Sequence, residues 1–451
     1  MDANNLGLGS RWPGVSVTSL VLLINFWVYC TCSSLVGARG FDSLLELPGS
    51  GSPRTRSGSK RVLSVGDFGA RGDGLHNDTQ AFEEAWRLAC SSPGRTKIVI
   101  PAGYVFLLYP VDLSGRCRSK ITLDISGTIV APQDPRSWEG LNPRKWIYFH
   151  GVNHLTVEGE GSIDGRGQIW WAQSCKTNKT MPCRHAPTAV TFHKCKDLKV
   201  RNIRIINSQQ MHIALTNCIR VAISRLIVIA PASSPNTDGI HLSSSRGVGI
   251  KYSTVRTGDD CISIVGNSSR IGIRNFSCGS GHGISIGSLG KSKYAELVHD
   301  VVVDGALLSN TDNGVRIKTW QGGKGNATEI KFHNILMEKV SHPIIVDQYY
   351  CDSPHSCANQ SSAVNIKNVS FAHIRGTTAT REAIRFACSD KSPCEDIYLE
   401  DIQLASHSGE ATSFCWQARG SSHGLVSPPP CISCGASFIQ LKSASDLIQY
   451  S

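Results

Sequence analysis

Charged residues and helical patterns are both scarce in this sequence. Only 18% of the 451 residues are charged, whereas glycine numbers 43, and this composition is closer to a turn-rich β protein than to a helical bundle. No long helical pattern interrupts the apolar runs after about residue 98, which argues against an α/β sheet with crossover helices. The hydrophobic content of 40% allows a sizeable core and excludes a disordered chain.

A second long apolar run is also lacking, and the first one lies near the start of the chain. Residues 20–29 are apolar except for Asn25, Arg11 precedes them and the small residues Ser33 and Ser34 follow. This pattern predicts a signal peptide over residues 1–38, with an uncleaved membrane anchor as the alternative. Residues 39–60 are rich in Gly, Ser and basic side chains and predict a flexible linker or a removable pro-segment. We therefore expect a secreted, extracellular protein without stable membrane association.

Seventeen cysteines fit the oxidising compartment that secretion implies. Their spacing favours three local disulfides, Cys175 with Cys183, Cys351 with Cys357, and Cys388 with Cys394. Zinc binding by Cys431 and Cys434 is disfavoured, because no second cysteine pair or histidine pair completes a set of four ligands. Glycosylation sequons agree with the same compartment and occur at Asn77, Asn178, Asn267, Asn275, Asn326, Asn359 and Asn368.

The net charge of +11 at pH 7 favours an anionic partner, but charge does not choose among nucleic acid, a membrane surface and an acidic polymer. The basic residues are spread along the chain and no nucleic-acid-binding motif is recognisable. We therefore expect no nucleic-acid partner.

Short β-branched runs separated by Gly and Asn fill the chain from about residue 98 onward, and they predict an all-β fold. Asp238, Asp260 and His282 each precede such a run, at intervals of 22 residues (260 − 238 and 282 − 260). A repeat of this length is expected when one coil of a parallel β-helix stacks on the next. We predict a single-stranded, right-handed parallel β-helix over residues 61–420, with a C-terminal tail over 421–451.

Residues 79–89 have apolar side chains at helical spacing. They predict one helix that caps the N-terminal edge of the stack.

The residues most suited to catalysis lie at the ends of these runs or in the turns beside them, so the coil register brings them to one face. Paired carboxylates supply the acid and the base that glycosidic hydrolysis needs when their pKa values differ. Crowding of like charges would keep one proton in the cluster. The set consists of Asp238, Asp259, Asp260, His282, Arg316 and Lys318.

Each of these segments also has a purely structural interpretation. Asn236 and Asp238 could form Asx turns, and Asp259 with Asp260 could be a solvated turn or a calcium ligand pair. His282 between two glycines could be a buried core histidine. The residues of the RIK segment could belong to a solvated basic face.

Four segments in this order resemble the signature blocks of the plant-type polygalacturonases, glycoside hydrolase family 28. They are SPNTDGIH (234–241), TGDDCISI (257–264), CGSGHGISIGSLG (278–290) and RIKTWQGG (316–323). FGARGDG (68–74) is similar to the opening of the same pectin-lyase-like β-helix fold. The resemblance extends from about Arg61 to Tyr398.

The resemblance implies the hydrolysis of α-1,4-galacturonosyl linkages in homogalacturonan by single displacement with inversion, without cofactor or metal. Asp259 would be the general acid, and Asp238 and Asp260 would hold and activate the water. The remaining roles would be tuning of the acid's protonation by His282, substrate positioning by Asn236, and a galacturonate carboxylate clamp of Arg316 and Lys318. We expect a monomer, endo-acting in cell-wall pectin breakdown or remodelling.

Several alternatives stay open at this stage. A pectate lyase shares the broad fold but uses calcium-dependent β-elimination. Hydrolysis of rhamnogalacturonan or xylogalacturonan would use the same family machinery. A non-catalytic pectin-binding β-helix would be expected to lack at least one of the three carboxylates, and all three are present.

Overall fold

A computed structural model describes residues 60–292, 294–353, 357–358, 360–407 and 409–432. The predicted signal peptide, almost all of the predicted linker and most of the predicted tail lie outside the described residues, as do the sequon asparagine Asn359 and Cys434. Within the described ranges, no helix is both long and apolar enough to span a membrane.

The strands form three parallel ladders that wind around a common core. Two ladders share one twenty-stranded sheet, and the third is a separate eleven-stranded sheet. The twenty-stranded sheet contains β1 (Lys60–Ser64), β2 (Asp73–Asn77), β3 (Gly94–Ile100), β4 (Val105–Leu107), β6 (Ser119–Ile125), β7 (Thr128–Val130), β9 (Thr156–Glu158), β10 (Ser162–Asp164), β12 (Lys196–Arg201), β13 (Arg204–Ile206), β15 (Ile219–Ser224), β16 (Ile227–Ile229), β18 (Arg246–Lys251), β19 (Thr254–Arg256), β21 (Ser268–Gly279), β23 (Glu296–Ser309), β25 (Gly325–Val340), β27 (Asn365–Thr378), β29 (Cys394–Ser406) and β31 (Ala418–Ser427).

The eleven-stranded sheet carries the candidate site, and we call it the site ladder. Its strands are β5 (Val111–Asp112), β8 (Lys145–His150), β11 (Thr188–His193), β14 (Ile213–Thr216), β17 (Ile240–Ser243), β20 (Ile262–Ile264), β22 (Ile284–Leu289), β24 (Asn313–Trp320), β26 (His342–Tyr350), β28 (Glu382–Ala387) and β30 (Thr412–Trp416).

The register confirms the predicted repeat. Ile240 pairs with Ile262, and Ile262 pairs with Ile284, so the two intervals are 22 residues each. These isoleucines are fully buried and belong to one continuous core. Aromatic side chains stack between coils in the same way, as Phe149 does on Phe192 with ring centroids 5.1 Å apart. The predicted right-handed parallel β-helix is confirmed.

Helix α1 (Thr79–Ser91) confirms the predicted helix and its position at the N-terminal end. It lies between β2 and β3, where later coils have a strand of the site ladder. Its buried face contains Phe82, Ala85, Trp86 and Ala89, and this face is part of the continuous core. The helix therefore covers the end of the stack, which otherwise would expose an unpaired strand edge. A second helix, α2 (Gln168–Ala172), lies between β10 and β11.

Six disulfides are present among the described residues. The three predicted bridges are confirmed, and the others join Cys90 to Cys117, Cys261 to Cys278, and Cys415 to Cys431. The bond from Cys431 to Cys415 removes that residue from any zinc site. Cys195 and Cys218 are buried free thiols.

The last strand passes the predicted domain boundary at residue 420. Strand β31 pairs in parallel with β29 as far as Ser427, which lies opposite Gln403. Residues 418–427 lack the β-branched alternation of earlier strands, so the pattern gave no signal. The preceding coil supplies the hydrogen bonds, and the Cys415–Cys431 bridge ties the segment to β30.

Candidate active site

The coil register brings the predicted acidic residues together. Asp238 and Asp260 each lie two residues before a strand of the site ladder, β17 and β20, and His282 occupies the same place before β22. The backbone continues this alignment, because the Gly239 N–H donates to the Asp260 carbonyl and the Cys261 N–H donates to the Gly283 carbonyl. Consecutive coils are about 4.8 Å apart, so the three side chains are immediate neighbours.

Glycines flank His282 because the turns of successive coils pack closely here. Gly281 has φ +74°, and a Cβ at this position would lie 2.3 Å from the Asp259 carbonyl oxygen. Gly283 has φ +78°, and its Cβ would lie 2.1 Å from the Asn313 carbonyl oxygen. A larger residue at either position would force the coils apart. The GHG segment is thus needed to hold the imidazole next to Asp259.

Asp259 and His282 form a hydrogen-bonded pair. The His282 Nδ1 atom lies 2.9 Å from Asp259 Oδ1, and Asn236 Nδ2 donates to Oδ2 at 3.2 Å. Burial opposes ionisation of Asp259, but the hydrogen bond and charge of His282, together with Lys318, outweigh it and lower the pKa to about 2. The same hydrogen bond raises the pKa of His282. The pair therefore shares one proton, which resides on the imidazole.

Asp260 is buried between the two predicted clamp residues. Arg316 Nη2 donates to its Oδ1 and Lys318 Nζ donates to its Oδ2, both at 2.8 Å. Ser285 Oγ also donates to Oδ1, at 2.7 Å. The predicted cations thus lie in the site, but both bind a carboxylate of the protein itself. The hydrogen bonds of Arg316 within the described protein use Nε and Nη2, which leaves Nη1 for a second acidic group.

Asp238 is more disposed than Asp259 to keep its proton. Burial raises its pKa, and the nearby charge of Asp259 adds to the effect. Ser263 Oγ donates to Oδ2 at 2.6 Å, and His241 Nδ1 lies 3.7 Å from the same oxygen. Asp238 and Asp259 therefore have opposite protonation tendencies, as an acid and base pair requires.

His212 contacts the backbone of the turn at Asp238, and the sequence did not predict this role. It is fully buried, its Nδ1 lies 3.1 Å from the Asp238 carbonyl oxygen, and its Nε2 accepts from the Ser208 N–H at 3.4 Å. Burial lowers its pKa to about 4, so the ring stays neutral and donates through Nδ1. Nothing in the sequence pattern around His212 distinguishes it from a histidine that only packs in the core.

Ser263, Ser285, Asp312 and Tyr350 were also missed. Ser263 and Ser285 occupy successive positions in the register that leads to Arg316, so the repeat could have identified them. Asp312 Oδ2 lies 3.5 Å from His282 Nε2. The Tyr350 ring lies 5.3 Å from Lys318 Nζ, and burial raises the pKa of its hydroxyl to about 12. Tyr350 is the last residue of β26 and pairs with Trp320 after a register shift, and sequence spacing does not predict such a shift.

A divalent metal fits this site poorly. One ligand atom each of Asp259, Asp260 and His282 lie within 4.8 Å of one another. However, two cationic side chains already bind Asp260, and the raised pKa of His282 favours an imidazolium that cannot ligate.

Two disulfide-closed loops meet across the strands of the site. Residues 173–187 precede β11, and the segment with the Cys351–Cys357 bridge follows β26. Strands of a parallel ladder all run in one direction, so these loops start from opposite edges of the site ladder. Lys176 Nζ and Asp352 Oδ1 are 2.5 Å apart. We call this contact the loop bridge.

A parallel β-helix with carboxylates and cations on the outer face of one ladder has the groups that binding and hydrolysing an acidic polysaccharide require. The family comparison is more specific. Residues 90–424 match the model of Glycosyl hydrolases family 28, and the chain belongs to this family. It is therefore a glycoside hydrolase, and the resemblance to plant-type polygalacturonases is confirmed.

The chain is similar to curated plant proteins over most of its length. It is 58% identical to a probable polygalacturonase of Arabidopsis thaliana, over 95% of this chain and 96% of that protein. It is 48% identical to a polygalacturonase of Persea americana, over 78% of this chain and 75% of that protein. Among solved structures, the endo-xylogalacturonan hydrolase of Aspergillus tubingensis superposes with a TM-score of 0.70 at 24% identity, covering 84% and 100% of the two chains. This last likeness concerns the fold alone.

Proposed function

We propose that the protein is a secreted polygalacturonase that hydrolyses α-1,4-galacturonosyl linkages of pectic homogalacturonan in the plant cell wall. The observation that carries the proposal is the stack of Asp238, Asp259 and Asp260 beside Arg316 and Lys318 on one face of the site ladder. Carboxylates serve the acid and base steps, and the cations suit an acidic sugar.

In the proposed mechanism Asp259 protonates the leaving oxygen, and Asp238 with Asp260 positions and activates the water. Asp259 itself has a low pKa, so the proton must come from its partner. His282 Nδ1 is within hydrogen-bond reach at 2.9 Å and can return the proton to Asp259 when the leaving oxygen demands it. Asn236 keeps the second carboxylate oxygen in place. The pKa directions taken alone favour the opposite assignment, because the pKa of Asp238 is raised and that of Asp259 is lowered. Asp238 would then be the acid.

We propose inversion because of the family resemblance and because both oxygens of Asp260 are engaged by cations. A carboxylate bound by Arg316 and Lys318 is a poor nucleophile, and this favours water as the attacking group. The spacing argues in the other direction. Oxygens of Asp259 and Asp260 lie within 4.8 Å of each other, whereas inverting pairs are usually about 6.5–9.5 Å apart. The anomeric configuration of the first product, followed by NMR, distinguishes the two outcomes.

The substrate is inferred from the cations and the shape of the face. Arg316 binds Asp260 through Nη2, and its Nη1 would suit the carboxylate of an unsubstituted galacturonate. Rhamnogalacturonan and xylogalacturonan are the alternative substrates. The site ladder continues for several strands on each side of β20, and this extent supports endo action on a long chain. We expect a monomer without cofactor and without nucleic-acid or stable membrane partners.

Secretion is supported by the disulfides and by the predicted signal peptide over residues 1–38, which lies outside the described residues. We propose that residues 39–60 are a linker or pro-segment and that the catalytic domain ends where β31 ends.

The proposal is tested on de-esterified polygalacturonate with and without a calcium chelator. Reducing ends that form despite the chelator, without absorbance from unsaturated products, would support hydrolysis. Unsaturated, calcium-dependent products would mean a lyase. If no product forms, rhamnogalacturonan and xylogalacturonan are assayed next, and binding without turnover would indicate a non-catalytic protein. The length distribution of early products separates endo from exo action.

A further inference from the structure

A second group of polar side chains lies on the site ladder, in strands β8 and β11. It consists of Lys145, Tyr148, His150 and His193, and we call it the N-terminal cluster. His193 is separated from β20 by three strand steps and Tyr148 by four. At about 4.8 Å per step, the cluster lies roughly 14–19 Å from Asp260 along the ladder.

The N-terminal cluster occupies the same rows of the register as the candidate active site. Tyr148 is aligned through successive coils with Ser263, Ser285 and Arg316. His150 pairs with His193, two residues beyond Tyr148 along the strand, just as Lys318 lies two residues beyond Arg316. A polymer that lies along the ladder over Arg316 and Lys318 therefore passes over this cluster.

Contacts within the cluster hold it in one arrangement. The Tyr148 hydroxyl and His193 Nδ1 are 2.6 Å apart, and Lys145 Nζ lies 3.3 Å from the centroid of the Tyr148 ring. The imidazole rings of His150 and His193 have centroids 5.0 Å apart. Two imidazoles and an ammonium group are thus held at the outer face of the ladder, half-buried and accessible to a ligand.

The charges around His193 oppose its protonation. Burial lowers the pKa of His193, and the positive groups of His150, Lys194 and Lys145 lower it further. Asp112 of β5 faces the same group. Burial raises the pKa of Asp112, against the effects of Lys145 and His150. As the pH falls, Asp112 is therefore protonated earlier than an ordinary aspartate and no longer neutralises the positive charge of the cluster. An anionic ligand would relieve the repulsion among these groups.

We propose that the N-terminal cluster is a distal subsite that binds the carboxylate of a galacturonate residue several sugars away from the scissile bond. This inference rests on the proposed function, because the same polymer must reach both sites. Lys145, His150 and His193 would bind the carboxylate, and the Tyr148 hydroxyl orients His193. Protonated histidines bind an anion and neutral ones bind it weakly, so affinity at this subsite rises as the pH falls.

The test compares the binding of oligogalacturonides of increasing length to variants of the N-terminal cluster. Binding is measured by calorimetry at mildly acidic and at neutral pH in the Asp259→Asn background, which should leave the ligand uncut. We expect His193→Gln and Lys145→Met each to weaken the binding of long oligomers about tenfold, the loss of one charge-assisted hydrogen bond. Trigalacturonate, which is too short to occupy both sites, should bind as before. The effect of His193→Gln should shrink at neutral pH.

His154→Gln is the matched control, because His154 follows β8 in the same coil but pairs with Asp197 away from the site ladder. Equal losses for trigalacturonate and long oligomers would mean a structural role, and unchanged binding of every length would also overturn the subsite. Hydrolysis is assayed separately with the protein that retains Asp259. If that protein does not hydrolyse polygalacturonate but the expected length dependence of binding is found, the proposed function is refuted and the subsite is not.

Discussion

Asp259 and Asp238 are neighbouring carboxyl groups with opposite protonation tendencies. The pKa of Asp259 is lowered to about 2, while burial raises that of Asp238. Asp259→Asn should reduce kcat about 10²- to 10⁴-fold without unfolding the protein, because the amide cannot deliver a proton. Asp238→Asn should have a comparable effect if Asp238 activates the water.

A substrate with an activated aryl leaving group separates these two roles, because its departure needs no acid. Rescue of Asp259→Asn alone on this substrate would support the assignment. Rescue of Asp238→Asn alone would exchange the roles of acid and base.

His282 should set the alkaline limit of activity. Its pKa is raised by Asp259, so the proton of the pair persists to higher pH than on an ordinary histidine, and activity should fall as the pH rises through that value. His282→Gln keeps a donor near Asp259 but removes the proton store, so kcat/KM should begin to fall at lower pH. The control is His423→Gln, in the exposed part of β31. Identical pH profiles for wild type and His282→Gln would contradict the role.

The sequence predicted a set of site residues that the structure brings together, but it did not predict their hydrogen-bond partners. Spacing placed Asp238, Asp260 and His282 in one row, which the register confirms. The family resemblance implied that Arg316 and Lys318 bind the substrate, and this stays a prediction; the sequence did not predict that both also bind Asp260. A linear pattern tells which side chains share a face, but the length and direction of each side chain decide which groups meet.

The loop bridge predicts a restriction on access to the site. Both side chains of the Lys176–Asp352 pair are about half exposed, so the bond is worth at most about 1 kcal/mol, and the stability of variants should change little. A polymer that enters sideways must break it, so Lys176→Ala and Asp352→Ala should each raise kcat/KM on polygalacturonate, relative to trigalacturonate, up to about fivefold.

Lys179→Ala is the control, because it removes the same charge from the same loop and leaves the bridge. An increase in Lys176→Ala alone would reflect charge rather than the bridge, since Asp352→Ala breaks the same contact from the other side. Equal ratios in all variants would show that the bridge does not restrict access.

Element prediction succeeded where the coils are regular. The 22-residue interval holds across β17, β20 and β22, but the next interval, from Ile284 to Val315, is 31 residues (315 − 284). Inserted loops lengthen that coil and hide the repeat from sequence spacing. Helix α1 was predicted correctly because its apolar side chains recur at helical spacing and all pack against the core. Strand β31 was not predicted, because its residues lack an apolar–polar alternation and it is held by pairing with β29.

At the scale of the whole molecule, the β-helix is a one-dimensional stack in which each coil contacts its neighbours. The stability is therefore a sum of contributions from individual coils and their interfaces, and the two end coils need a cover because each has a neighbour on one side only. Helix α1 closes one end, and Trp86 is its largest buried side chain. Trp86 is 4% exposed, its Nε1 donates to the Ser114 carbonyl at 3.1 Å, and its ring packs edge-on against Phe149.

Trp86→Ala should destabilise this end by about 3–5 kcal/mol. Because coils contact only their neighbours, the loss should appear first as faster amide exchange in α1, β3 and β5, while β22 and β24 keep their protection. Freeing the strand edge should also cause concentration-dependent association, measured by light scattering.

Leu88→Ala in the same helix is the control, since Leu88 is 38% exposed and its replacement should cost about 0.5 kcal/mol or less. Uniform loss of protection in all coils of Trp86→Ala would instead mean that the stack unfolds as one cooperative unit.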